Sequence, residues 1–283
     1  MTTPAAPPPP PYTDRSPGRD GEQAPSAPVR TPGLGDAVAS EWTKIRSVRS
    51  TVWTLGVMVL LLLGVGLLTA VALRAADADL QDEPVLSLGF FGVLLGSICV
   101  ITLGVLTIAS EYGTGMIRTT LAVCPSRSRV LIAKSIVFFL LSFTVTTVTA
   151  GIVGVLQTAI LDGGTPTAGE WLGATVGVGL YVALLGLLAL ALGAVVRHSA
   201  GAITIMIGVV LLPLVLAMFM FTDTLDSVRQ ALFEYSIPSQ LASLYDTPIT
   251  LSGPSGWDSV LILTCVTAVA MGAALASQDR RDV

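Results

Sequence analysis

The chain has 283 residues, a net charge of −4, and only 12% charged residues against 52% hydrophobic ones, with a mean hydropathy of +0.78. An ordinary soluble domain carries about 25% charge, so this composition excludes a soluble enzyme and reads as one polytopic membrane domain. Three scattered cysteines, Cys99, Cys124 and Cys265, give neither a metal spacing nor a disulfide framework and read as small packing residues.

Residues 1–33 are expected to form a disordered, Pro-rich cytoplasmic tail. They hold ten of the 17 prolines, five of them consecutive from Pro7 to Pro11, and almost no large apolar side chain that could offset ordering entropy. The apolar core of a secretory signal is missing there.

Residues 34–50 predict an amphipathic helix. Leu34, Val38, Trp42, Ile45 and Val48 recur at steps of three or four. Asp36, Glu41, Lys44, Arg46 and Arg49 fall mostly elsewhere around it. A basic helix with an apolar stripe and a Trp suits the surface of a membrane. A plain positive flank of the first span would carry the same charges.

Six apolar runs follow, near 51–73, 85–109, 130–160, 171–196, 200–222 and 257–276. Each meets the roughly 20 residues that a helix needs to cross a bilayer. The third is longer, so Lys134 in its first turns is expected to project into the cytoplasm or to snorkel there. Pro213 should kink the fifth span. Gly92-x-x-x-Gly96 and Gly173-x-x-x-Gly177 permit close helix approach. Thirteen of the 15 Lys and Arg residues precede the first span, lie between spans two and three or four and five, or follow the sixth; only Arg74 and Arg229 fall on the other side. The positive-inside rule then places both termini in the cytoplasm. In the last external loop, residues 223–256, apolar residues at near-helical spacing suggest two short helices broken at Pro238.

Between spans two and three the sequence runs Ser-Glu-Tyr-Gly-Thr-Gly-Met-Ile-Arg-Thr-Thr-Leu-Ala-Val-Cys-Pro-Ser-Arg-Ser-Arg-Val-Leu-Ile-Ala-Lys from residue 110 to 134. Its Glu111, Gly115, Arg118, Thr120, Pro125, Ser126, Arg127, Ala133 and Lys134 resemble the coupling segment of ABC transporter permeases of the ABC-2 exporter class. Glu41-Trp42-Thr43-Lys44-Ile45-Arg46 resembles the N-terminal motif of the same family. The resemblance covers residues 36–283. It implies an all-α permease domain over residues 34–283, with six transmembrane helices, an interfacial elbow helix carrying Trp42, Lys44, Arg46 and Arg49, and a cytoplasmic coupling helix. It assigns ATPase coupling to Glu111, Tyr112, Gly113, Thr114, Gly115, Met116, Arg118 and Thr119. Gly113 and Gly115 are expected to break the second span, and Glu111 to be free for a contact with a partner or with Arg118. The implied partners are an ABC ATPase subunit, which holds ATP and Mg, a second permease chain (homodimer or heterodimer) and membrane lipids, with no nucleic acid. The implied location is a bacterial plasma membrane.

No phosphate-binding G-x-x-x-x-G-K-[ST] loop, H-E-x-x-H, G-x-S-x-G or Cys/His cluster occurs, so no catalytic, cofactor or metal residues are named. The single histidine, His198, reads as a solvated flank. The span interiors lack the ionisable residues that bind coupling ions in secondary transporters, while Ser142, Thr144, Thr146, Thr147, Thr149 and Gln157 give weakly polar walls. The expected function is therefore the membrane subunit of an ATP-driven exporter that moves a drug, peptide antibiotic or lipid-like amphiphile outward, with a separate ATPase as motor. A non-transport membrane protein, a sensor or an assembly scaffold, is the alternative.

Overall fold

The computed structural model describes residues 33–77, 84–116, 126–161, 164–247 and 253–280; residues 1–32 of the Pro-rich tail and residues 117–125 of the coupling segment lie outside these. Helix α1 spans Leu34–Ser47. The next helices are α2, Arg49–Ala75, and α3, Phe90–Gly113, which a 3-10 turn at Val85–Gly89 leads into. Helix α4 covers Arg127–Ile160 and α5 Ala168–Val196, the latter interrupted by a π-helical turn at Gly173–Gly177. Helix α6 spans Ser199–Met218. Two short helices follow, α7 at Asp226–Glu234 and α8 at Ile237–Ser243, and α9 at Gly256–Arg280 ends the described chain. No strand occurs among the described residues. Helices α2 to α6 and α9 supply six segments long and apolar enough to cross a membrane, and the protein is an all-α, multi-pass membrane protein.

Helix α5 is the most buried of the six spans, and it packs against α3, α4, α6 and α9. Its small residues permit this. A Cβ on Gly104 of α3 would lie 2.4 Å from the Gly186 carbonyl oxygen of α5, so the two backbones meet where only hydrogen fits. Around that contact Val100, Ile101, Phe138, Tyr181 and Leu190 form the core. The outward faces of α2 (Trp53, Leu60, Leu68) and α6 (Leu212, Leu216) stay apolar and exposed, the pattern lipid solvates.

Both small-residue pairs sit at close approaches. A Cβ on Gly96 would fall 2.3 Å from the Leu62 side chain, and one on Gly173 2.5 Å from the Leu244 carbonyl oxygen. The Leu244 carbonyl follows α8, and the π-helical turn of α5 lies where it packs. Pro213 stands inside α6, which continues to Met218, four residues short of the expected end.

The loop between the fifth and sixth spans does hold two short helices, but the break lies before Pro238, not at it. Ser236 caps α8 by accepting the Ser239 N–H, and Pro238 occupies the first turn, where its missing N–H leaves nothing unmet. Helix α8 is buried from end to end. Its polar groups pair locally: Gln240 donates to the Tyr235 carbonyl at 3.0 Å, and Ser243 and Ser259 hydroxyls meet at 3.0 Å.

Candidate functional site

The charged residues next to the coupling segment converge on Lys134. Its ammonium lies 2.5 Å from Glu41 Oε2 and 2.9 Å from Glu111 Oε1. Lys44 adds a second cation, 2.6 Å from Glu41 Oε1 and 3.4 Å from Glu111 Oε1. The side chains of Lys134, Glu41 and Glu111 are 2%, 3% and 7% exposed, and Lys44 is 28% exposed. Two carboxylates and two ammonium groups thus form a charge-balanced quartet that joins α1, the last turn of α3 and the first turns of α4.

Each member is placed by its helix. Glu41 and Ile45 are four residues apart and share the buried face of α1, which packs on α4. Glu111 precedes the C-terminus of α3 by two residues. Ser126 caps α4 by accepting the Arg129 N–H at 3.4 Å, which starts the helix two turns before Lys134. Burial alone would raise the Glu41 carboxyl, but Lys134 and Lys44 outweigh it and hold the pKa below the ordinary 4.5. Burial alone would lower Lys44; Glu41 and Glu111 outweigh it and raise its pKa above 10.5.

This arrangement corrects three expectations. Lys134 does not project into the cytoplasm or snorkel; it is buried, because two carboxylates meet it inside. Glu111 is not wholly free for a new contact: Lys134 and Lys44 occupy its Oε1, and only Oε2 is left without a partner. Glu41 does not belong to an outer polar face of α1; it is that helix's buried charge, and Leu34, Trp42 and Val48 from the expected stripe are exposed instead. Trp42 carries Arg46 over its ring at 6.0 Å, and Arg49 begins α2 at the exposed surface. Sequence reasoning missed the quartet because Glu41 and Lys134 are 93 positions apart. The available signal was a carboxylate on the Ile45 face of one helix and a lysine inside an apolar run.

Of the other expected coupling residues, Tyr112 to Met116 form the end of α3 and the turn after it. Tyr112 lies under the Arg197 guanidinium, 4.9 Å from carbon to ring centre, and its hydroxyl lies 3.4 Å from Gln278 Nε2, so it ties α3 to the turn before α6 and to the end of α9. The span runs through Gly113, where an added Cβ would meet nothing within 4 Å; this glycine does not break it. Thr114 caps the helix, and Gly115 ends it at φ +73°, a left-handed conformation that disfavours side chains. Met116 is exposed. Arg118, Thr119, Thr120 and Pro125 lie outside the described residues. His198 is more than a solvated flank: its Nδ1 accepts the Gly201 N–H at 3.0 Å and caps α6.

A family model described as "ABC-2 family transporter protein" matches residues 37–221, well over half the chain, from α1 through the fifth span. A comparison with curated proteins finds no significant match.

Proposed function

The chain belongs to the ABC-2 transporter family, whose permeases are membrane components and not themselves catalytic, and from this premise we propose that it drives outward movement of a hydrophobic or amphiphilic molecule when a separate ABC ATPase subunit acts on it. The ATPase supplies ATP hydrolysis; a second permease chain completes the pathway. Both termini and the segment 117–125 face the cytoplasm, as the distribution of basic residues indicates.

One observation carries this reading. Segment 117–125 is rooted in α3 on one side and α4 on the other, and Lys134 binds both the Glu111 root and the α1 carboxylate Glu41. A push on that segment therefore reaches α1, α3 and α4 together. Buried ion pairs of this kind contribute little net stability against apolar side chains of the same shape. They do fix which groups sit together, which a frame that receives force requires. Glu111 on this reading acts through the frame, and Gly115 and Met116, together with Arg118 and Thr119, carry the docking surface itself. Trp42 and Arg46 hold the exposed face of α1, and Arg49 the start of α2, at the lipid headgroups.

The test is purification of the tagged chain from its native membrane, followed by reconstitution. The expected result is a stoichiometric ATPase bearing a Walker A motif, whose hydrolysis is stimulated by fluorescent hydrophobic dyes that inside-out vesicles accumulate only with ATP. Accumulation of the dye without ATP, or a chain that purifies with no ATPase from every membrane tested, contradicts the proposal.

A further inference from the structure

The quartet forms one wall of a cavity of about 310 Å³ between α1, the start of α2 and the inner half of α3. Leu103, Leu106, Ile45 and Val48 make much of the remaining wall, and Val48 and Met116, both exposed, stand at its rim. Glu111 lines this cavity with one oxygen spent and one unspent. Oε1 accepts from both lysines, whereas Oε2 is buried and accepts no hydrogen bond. An unmet buried carboxylate oxygen is costly.

No hydroxyl on the cavity wall donates to it. Thr54, Thr107 and Ser110 donate instead to their own helix carbonyls, of Ser50, Leu103 and Leu106, at 2.8, 2.6 and 2.5 Å, and in this arrangement present lone pairs to the cavity; Ser50 and Thr51 add to its polar lining. Thr114 donates in the same way to the Ser110 carbonyl. The cavity thus offers several acceptors and an apolar wall, with a carboxylate oxygen among them. Its charges already balance within the quartet, so a further net charge would be uncompensated in a mostly apolar enclosure.

We infer that this cavity binds an uncharged amphiphile that presents a single O–H or N–H donor to Glu111 Oε2 and lays its hydrocarbon along Leu103 and Leu106. The inference goes beyond the transport reading and does not depend on it, because binding is measured on the chain alone, without ATPase or nucleotide.

The experiment uses the full chain in nanodiscs and three photoreactive probes of equal chain length: dodecanol bearing a mid-chain diazirine, its methyl ether, and the corresponding dodecylammonium. Cross-linked peptides are mapped by mass spectrometry. The alkanol should label peptides from the α1–α2 junction and the inner end of α3. The ether, which lacks the donor, should label them at least about tenfold more weakly at equal concentration, the factor expected for one hydrogen bond to a charged acceptor. The ammonium should label them more weakly than the alkanol. Thr107→Phe, which fills the cavity and leaves all four charges in place, should abolish the alkanol label. Equal labelling by alkanol and ether overturns the donor contact. Stronger labelling by the ammonium overturns the uncharged ligand. The probe series is run on the unmodified protein, so both comparisons hold even where Thr107→Phe fails to fold; alkanol labelling that persists in a folded Thr107→Phe protein overturns the site.

Discussion

The two ends of the helix bundle bury polar groups in opposite ways. Beside the coupling segment, four charged side chains from three helices share one charge-balanced cluster, in which Lys134 is almost fully buried. Around α8 the buried polar groups are neutral: Ser236, Ser239, Gln240 and Ser243 bond to nearby backbone and to each other, and Tyr181 reaches Gln240 across the core at 3.4 Å. A neutral hydrogen bond can be removed as a pair at little cost, whereas removing one ion from a buried cluster leaves its partner charged and unsolvated. The charged end is therefore indivisible, and the neutral end tolerates local change.

The largest expected effect follows from that indivisibility. Lys134→Met leaves Glu41 with the partly exposed Lys44 and removes the main partner of Glu111; breaking a buried pair in this way costs about 3–5 kcal/mol. Size-exclusion chromatography of the heated, detergent-solubilised protein should show a large drop in apparent melting temperature, or loss of the protein from the membrane fraction. A drop no larger than for a surface lysine would erase the contrast.

Gly115→Ala should cost roughly 1–2 kcal/mol, the penalty for a side chain in the left-handed region, while Gly113→Ala should be neutral or slightly stabilising, since an added methyl meets nothing and alanine favours the helix. Matched thermal shifts of the two variants separate the helix terminator from the helix interior.

The charged end should also respond to pH. Glu41 has a depressed folded pKa, so its contribution is fully present above about pH 4.5 and is lost as pH falls through the folded value. Lys44 has a raised folded pKa, so its contribution is present below about pH 10.4 and is lost as pH rises through the folded value. Melting temperature scanned from about pH 3 to about pH 11 should be flat between those limits as far as these two groups are concerned. The acid limb should be blunted in Glu41→Gln relative to the unmodified protein. An unchanged acid limb would assign it to other carboxylates.

The smallest effect is expected at the neutral end. Replacing both Ser243 and Ser259 by alanine removes donor and acceptor together, and should change stability by less than about 1 kcal/mol. A loss comparable to Lys134→Met would show that the neutral cluster is no less cooperative than the charged one.

The spans are legible in the sequence because bilayer-length apolar runs need no tertiary information, and their ends agree with the helices to within four residues: α6 stops short at Met218, whereas α3 and α9 run on to Gly113 and Arg280. The close approaches at Gly96 and Gly173 are likewise visible as spacing. The quartet is not, because periodicity assigns a residue to a face but does not say which face another helix covers. Periodicity groups Glu41 with the polar residues of α1, and only the packing of α1 on α4 makes its position interior. Gly113 and Gly115 look alike in sequence; the backbone distinguishes them, since one continues the helix and the other ends it at positive φ.

The frame that joins Glu41, Glu111 and Lys134 to the roots of the coupling segment is tested most directly by Glu111→Gln in the reconstituted complex with its ATPase. The Gln amide oxygen can still accept from Lys134, which also keeps the Glu41 carboxylate, so the variant should be less destabilised than Lys134→Met; the measured quantity, taken on the folded and docked fraction, is dye transported per ATP hydrolysed. The account predicts near-normal hydrolysis with a several-fold lower transport yield. A yield equal to that of the unmodified chain would contradict it.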